Sequence, residues 1–207
     1  MPWEFTDNVH AFAEHTWEFL ASRPVENTVA LTMIENLRAG LQYSEQPPLL
    51  GWHRGGATSA AMTLTLPYEL VLAAMSDGAM DELVSALRAR RSRLPGVTAD
   101  AATAERFATA WTTGGPARVT TITQHRLYAV DALRPPTPQP PGRPRQAGGN
   151  DIDVAARWLT AFQEETGSHV VDARPVVRDR IENALLWLWE DDAGIPVSLA
   201  GRHRPAA

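Results

Sequence analysis

The sequence predicts an α/β fold in which mixed sheets are packed against helices. Apolar residues recur at three- and four-residue steps in several segments, which is typical of amphipathic helices. Two pairs of apolar runs flank short glycine-containing connections, which is typical of β-hairpins. Six prolines between Leu133 and Arg145 predict an extended linker that divides the chain into two parts.

The composition excludes several classes of protein. The chain has 207 residues and a net charge of −5, which argues against broad binding to nucleic acid or to anionic membranes. Because it has no cysteine, disulfides, thiolate nucleophiles and cysteine-based metal sites are excluded. All nineteen basic residues are arginine, which excludes lysine chemistry. No signal peptide or apolar run of about 18 residues is visible, so we expect a cytoplasmic protein.

The first part opens with two predicted helices. Asp7 is a candidate N-cap for a helix that runs to about Ser22. Pro24 suits the first turn of a second helix, which we expect to end at Gly40. The residues expected on the buried face of this second helix are Val25, Val29, Met33 and Leu37.

A hairpin, a short strand and a third helix follow. The hairpin is predicted over Leu49–Arg54 and Ala57–Leu66, with its turn at Gly55-Gly56. Glu69–Met75 is the short strand, and the helix begins at Asp77. Its apolar positions follow the i, i+3, i+4, i+7 pattern: Met80, Leu83, Val84 and Leu87.

The first part ends with a predicted helix and a predicted strand. The helix spans about Asp100–Thr113, and Arg118–Val130 alternates branched and polar residues as a half-buried strand does. Arginines precede this helix at the end of the third one. They are either a phosphate or nucleic-acid patch or cations favoured by the helix dipole: Arg88, Arg90, Arg91 and Arg93.

The second part contains two helices and a hairpin. A helix capped by Asn150 or Asp151 is expected to end at Gly167, and another begins at Pro175. The hairpin Leu185–Arg202 has arms so apolar that we expect both of its faces to be packed.

The two parts echo each other in sequence. Arg23-Pro24-Val25 corresponds to Arg174-Pro175-Val176, and Ile34-Glu35-Asn36 corresponds to Ile181-Glu182-Asn183. In both parts the order is a helix, this turn, a second helix and an apolar hairpin. We therefore expect a complete domain at 1–133, a linker at 134–145, and the first half of a second domain at 146–207.

The residues that suggest a family are Arg23–Val29, Pro47–Trp52 and the segment from Leu188 through Gly201. In these segments the chain resembles the GNAT N-acetyltransferase superfamily in its tandem form, in which a degenerate GNAT-like domain precedes a catalytic one. The resemblance implies acyl transfer from acetyl-CoA to the amine of a small molecule or peptide. It also implies a pyrophosphate-binding loop of the form Arg/Gln-x-x-Gly-x-Gly/Ala at a helix N-terminus after the fourth strand.

The sequence departs from the family pattern at this loop. The corresponding segment of the first part is Ser76–Met80, which has one glycine and an acidic residue, Asp77. No catalytic or cofactor-binding residue can be carried over, and binding of acetyl-CoA by this chain is doubtful. We expect a truncated acetyltransferase that is inactive on its own. The alternative is a non-catalytic module that binds a substrate or partner.

Four residues are candidates for substrate binding: Glu26, Asn27, Trp189 and Glu190. Three of them also have a structural explanation, since acidic residues are favoured in a first helical turn or a hairpin tip and tryptophan packs in cores. The six histidines have no metal-ligand spacing, so no metal site is predicted. Finally, an edge strand near Pro196–Arg202 predicts a homodimer, or else poor solubility and fraying of residues 145–207.

Overall fold

The structure is a computed structural model that describes residues 3–42, 44–90, 93–115, 117–167 and 172–202. It confirms the α/β class. The chain forms two compact units, Met1–Val130 and Asp131–Ala207. Each unit has its own sheet, and helices cover that sheet.

The sheet of unit 1 has five strands in sequential order. Neighbouring strands are antiparallel except for the last pair, which is parallel. The strands are β1 (Trp3–Thr6), β2 (Leu49–Gly55), β3 (Ala57–Leu64), β4 (Leu70–Leu72) and β5 (Val97–Thr98). The predicted hairpin is confirmed, and Gly56 has the positive φ of 99° that its turn requires.

Helices cover both faces of this sheet. The helices α1 (Val9–Ala21) and α2 (Thr28–Arg38) contribute to one core, which includes Leu50, Trp52 and Ala61 of the strands. The helices α3 (Asp77–Arg90) and α4 (Ala101–Thr112) contribute to a second core on the opposite face, with Met62, Leu64 and Leu72. The two cores follow from the strand period, because successive residues of β3 point to opposite faces.

Two predicted helix starts in unit 1 were shifted. Asn8, not Asp7, caps α1, since its Oδ1 accepts hydrogen bonds from the backbone N–H groups of His10 and Ala11. The second helix starts at Thr28, and residues 24–27 form a turn before it. Val25 is exposed because it lies in this turn and not in the helix. Val29 is exposed because an i, i+4 row advances about 40° around the helix per step and leaves the buried face.

The predicted helices α3 and α4 are confirmed. Met80, Leu83, Val84 and Leu87 are buried, and Asp100 caps α4 by accepting a hydrogen bond from the Thr103 N–H. Of the arginines at the end of α3, Arg88 and Arg90 contact other groups of unit 1, and Arg91 lies outside the described residues. Arg88 donates to three carbonyls at the end of α4, those of Ala110, Trp111 and Thr113.

The predicted strand Arg118–Val130 was wrong. Residues 117–130 have no regular secondary structure, and the side chain of Ile122 is 84 % exposed. An alternating pattern favours a strand only where a neighbouring strand can complete its hydrogen bonds. Strand β5, at one edge of the sheet, is only two residues long, so that edge offers almost no backbone to pair with.

Unit 2 has a three-stranded antiparallel sheet covered on one face by two helices. The strands, in spatial order, are β6 (Arg143–Gln146), β7 (Leu186–Glu190) and β8 (Pro196–Gly201). The helices are α5 (Ile152–Thr166) and α6 (Ala173–Glu182), and their core includes Ala155, Val177, Leu186 and Leu188.

Strand β6 was missed, because the proline-rich segment was interpreted as a linker through residue 145. The Ala147 N–H donates to the Leu186 carbonyl. Along an antiparallel strand, the backbone groups of successive residues point alternately toward and away from the neighbouring strand. The backbone groups of Arg145 and Arg143 therefore also point toward β7, and those of Pro144 point away from it. A proline is tolerated there because an edge strand needs no N–H on its outer side.

The prediction that both faces of the last hairpin are packed was also wrong. Along β7, Leu186, Leu188 and Glu190 are buried, whereas the Trp187 side chain is 45 % exposed. The reason is that α5 and α6 cover only one face of the sheet among the described residues.

The sequence echo corresponds to a repeated topology. Unit 1 begins strand, helix, helix, hairpin, with the three strands adjacent and antiparallel in the order β1-β2-β3. Unit 2 has the same succession, with the order β6-β7-β8. The first strand of each set was not predicted. Unit 1 continues with β4, which pairs with β3 on the side opposite β2.

We expect Gly142→Ala to destabilise unit 2 more than Gly194→Ala does. Both glycines have positive φ, 97° and 77°, so both substitutions cost about 1–2 kcal/mol of backbone strain. A Cβ on Gly142 would also lie 1.9 Å from the Glu190 carbonyl oxygen, whereas nothing lies within 4 Å at Gly194. Hydrogen exchange of the β7 amides measures the difference, and equal losses would contradict this account.

Candidate functional site

The N-terminus of α3 is the position that corresponds to the pyrophosphate loop of the resemblance. The Ser76 Oγ accepts a hydrogen bond from the Ala79 N–H at 3.3 Å. Arg106 of α4 donates to the Met75 carbonyl at 2.8 Å and also forms an ion pair with Asp77. The chain's own side chains therefore engage this helix end.

This arrangement does not fit a pyrophosphate cradle. Free backbone amides and the positive end of the helix dipole are what attract an anion to a helix N-terminus. Here Asp77 already supplies a carboxylate in the first turn, and a second anion would be repelled by it. Gly78 is the one glycine of the loop, so only one residue lets the backbone approach a ligand closely.

Glu26 and Asn27 lie in the turn between α1 and α2. Asn27 is buried, and its Nδ2 donates to the Leu20 carbonyl at 3.0 Å, which ties this turn to the end of α1. Glu26 is exposed to solvent. Of the two candidate substrate-binding residues in unit 1, Glu26 is thus the one whose side chain is accessible to a ligand.

Trp189 and Glu190 are the last two residues of β7 in unit 2. The Trp189 side chain is partly buried, and its Nε1 donates to the Pro141 carbonyl at 2.9 Å. Glu190 is only 8 % exposed, and its Oε1 accepts a hydrogen bond from Arg145 Nε at 2.5 Å. The acid at the hairpin tip is Asp191, whose Oδ1 accepts from the Ala193 and Ile195 N–H groups and so shapes the turn.

Arg145 pairs with a second buried carboxylate, that of Asp151. Its two terminal nitrogens donate to the two Asp151 oxygens at 2.7 and 2.8 Å, and the Gly148 N–H donates to Asp151 Oδ2 at 2.7 Å. The hydrogen bonds from Arg145 hold the pKa of Asp151 below its usual range, against the opposing effect of burial. The hydrogen bonds to Asp151 and Glu190 raise the pKa of Arg145.

The sequence analysis missed this Arg145–Asp151 pair. Arg145 lay in the segment assigned to the linker, and a spacing of six residues matches no pattern used to find ion pairs. The signal available in sequence was Asp151 as a candidate helix cap. The four candidate site residues are divided two and two between the units, and within unit 2 Glu190 is committed to a buried ion pair.

The outer edge of β8 carries backbone groups without a described partner strand. Among the described residues, β8 is hydrogen-bonded only to β7. The Arg202 N–H donates to the Leu185 carbonyl, so by antiparallel alternation Ala200 also faces β7. Leu199 and Gly201 therefore direct their N–H and C=O groups away from the sheet.

The two edges of this sheet differ in chemistry. The outer strand β6 carries two arginines and a proline, which are features that discourage pairing with another strand. Strand β8 has the sequence Pro-Val-Ser-Leu-Ala-Gly and no charge. Exposed apolar side chains lie on or beside the hairpin: Trp187, Ile195 and Val197.

Two other kinds of site were searched for in the described part of the chain. It contains no group of three or more histidines and acidic residues that could hold a metal ion. None of its helices is long and apolar enough to cross a membrane. Comparisons of the chain with protein-family models, with curated proteins and with solved structures found no match.

Asp151→Asn should destabilise unit 2 at neutral pH by about 1.5–3 kcal/mol, the range for a hydrogen bond to a charged group. Because the folded-state pKa of Asp151 is lowered, its carboxylate stabilises the fold above about pH 4, and this stabilisation is lost as the pH falls through the folded-state value. The variant should therefore lose less stability than wild type between pH 7 and 3. Hydrogen exchange of β7 at both pH values measures this.

The matched control is Asp153→Asn, which changes an exposed aspartate two residues away. It should leave the pH dependence of wild type in place. An equally steep loss of stability on acidification in Asp151→Asn would show that the buried pair does not account for it.

Proposed function

We propose that this chain is an acetyltransferase-like binding protein without acetyl-CoA-dependent transferase activity, and that it associates with a second copy of itself through the outer edge of β8. The observation that carries the proposal is the unpaired backbone of this edge. The acetyltransferase-like part rests on the sequence resemblance. It is supported by the order of strands and helices repeated in the two units.

The repeated topology indicates what the edge of β8 can accept. β8 occupies in unit 2 the place that β3 occupies in unit 1. In unit 1 that place is extended by an antiparallel strand, β4, with Met62 opposite Leu72 and Thr63 opposite Val71. By analogy, the sheet of unit 2 can pair with an antiparallel apolar strand at this edge.

A second β8 meets this requirement. Two copies related by a twofold axis pair their identical strands antiparallel, which satisfies the outward groups of Leu199 and Gly201 in both. The strand has no charge, so self-pairing brings no like charges together. The exposed Val197 of each copy would lose contact with water in the same step.

The second candidate function is N-acetyl transfer from acetyl-CoA to an amine, as the resemblance implies. The specific observation in its favour is the parallel pairing of β4 and β5, because ligands bind where parallel strands end in open α/β sheets. The carboxylate of Asp77 and the engaged groups at the start of α3 weigh against it.

We expect calorimetric titration of the full chain with acetyl-CoA to detect no binding tighter than about 1 mM. The reason is the carboxylate of Asp77 at the position that would have to receive a pyrophosphate. A cooperative thermal transition of the same sample is the control for folding. Micromolar binding would overturn the proposed absence of transferase activity and favour the acetyltransferase.

We expect Ser198→Lys to weaken self-association at least about tenfold, which sedimentation equilibrium would report as a shift toward the 22.6 kDa monomer. Ser198 is exposed at the middle of β8, and a twofold axis there brings the two added charges together. The matched control is Ser198→Thr, which adds no charge and favours strands.

Hydrogen exchange provides an internal control for the same surface. The amides of Leu199 and Gly201 should exchange more slowly as protein concentration rises, whereas the Ala200 amide, already bonded to β7, should not change. A wild-type chain that stays monomeric at high concentration would contradict the proposed association.

A further inference from the structure

An irregularity in the β2–β3 hairpin brings a serine beside a histidine. His53 is opposite Ala60 and Arg54 is opposite Thr58, so Ser59 is an extra residue without a partner across the ladder. Such a β-bulge turns the side chain of the extra residue away from its regular direction. The Ser59 side chain is exposed, and its Oγ lies 3.0 Å from His53 Nδ1.

A carboxylate lies on the other side of the same imidazole. Oε2 of Glu82, on α3, is 3.3 Å from His53 Nε2. This is an ion-pair distance, although the angle is too poor for a hydrogen bond. The Glu82 carboxylate is therefore a Coulombic neighbour of the imidazole that can help to hold its orientation.

The imidazole is held in place by its surroundings. The side chain of His53 is only 15 % exposed, and the ring meets Trp3 edge to face at 5.9 Å between centroids. Trp3 is itself fixed, because its Nε1 donates to the Ala79 carbonyl at 2.8 Å. The imidazole beside the exposed Ser59 hydroxyl therefore has little freedom to reorient.

We propose that Ser59 is a nucleophile for activated acyl esters, with His53 as its general base and Glu82 as a positioning residue. Nucleophilic acyl transfer uses a hydroxyl next to an imidazole that is oriented in turn by a carboxylate, and these three groups are in contact in that order here. This site lies on different residues from the β8 edge and from the α3 N-terminus, so it stands independently of the proposed function.

The cluster, the ester and one water molecule supply every atom and proton of the reaction. Ser59 Oγ forms a bond to the ester carbonyl carbon, and its proton passes to His53 Nδ1. The bond from the acyl carbon to the leaving oxygen then breaks, and that oxygen takes the proton from His53. Water, activated by the same imidazole, releases the acid and restores Ser59.

The exposure of Ser59 limits the class of substrate. The oxyanion that forms on the acyl group faces water, which stabilises it less than fixed donors in a dry site do. Esters with a good leaving group are therefore the substrates that this arrangement can cleave, and p-nitrophenyl acetate is the appropriate probe.

The test is the rate of p-nitrophenol release by the full chain, together with mass spectrometry of the peptide that contains Ser59. Wild type should show an initial burst and one acetyl group on Ser59. Ser59→Ala should abolish the burst and lower the rate at least about tenfold, whereas Ser85→Ala, which changes an exposed serine of α3, should leave both unchanged.

Two further variants separate the proposed roles. His53→Gln should also remove the burst, and Glu82→Gln should alter the pH–rate profile while the burst remains. Thermal unfolding of each variant shows whether the fold is retained. If folded Ser59→Ala reacts like wild type, or if the acetyl group is found only on other residues, the assignment is overturned.

Discussion

Strand backbones must find hydrogen-bonding partners, and this constraint governs most of the structure. Residues 143–146 form β6, despite a proline, because Arg143 and Arg145 can bond to β7 while Pro144 faces outward. Residues 117–130 have a stronger strand pattern but remain irregular, because no described strand pairs with them. The same constraint applies to the outer edge of β8, where no described strand pairs with the outward backbone groups.

The two units are stabilised in different ways. Unit 1 has an apolar core on each face of its sheet, so alternate residues of β3 are buried on opposite sides. Unit 2 has one core, built largely from alanines, and a buried group of charges beside it. Arg145 satisfies Asp151 and Glu190 at once, and removal of one partner would leave a buried charge without compensation. The price of this arrangement is sensitivity to acid.

The candidate site was only partly accessible to sequence reasoning. Glu190 was interpreted as a substrate-binding carboxylate or a solvated turn former, whereas its side chain is buried and paired with Arg145, which lies 45 residues earlier and is joined to it by no local pattern. Asn27 was expected to face a cleft, and its buried side chain ties the turn before α2 to Leu20. The cluster of Ser59, His53 and Glu82 could not be found, because it depends on a β-bulge and on the packing of α3 against the sheet.

The sequence by itself determined the α/β class, the hairpin at Gly55-Gly56, the helices α3 to α6 and the repeated order of elements. These features depend on local periodicity, on capping residues such as Asp100, and on glycine at positive φ, all of which lie within a few residues. Tertiary structure decided which extended segments became strands, which face of α2 was buried, and that one face of β7 stayed open. Each of these outcomes depends on a partner distant in sequence, because a ladder or a core requires two surfaces to meet.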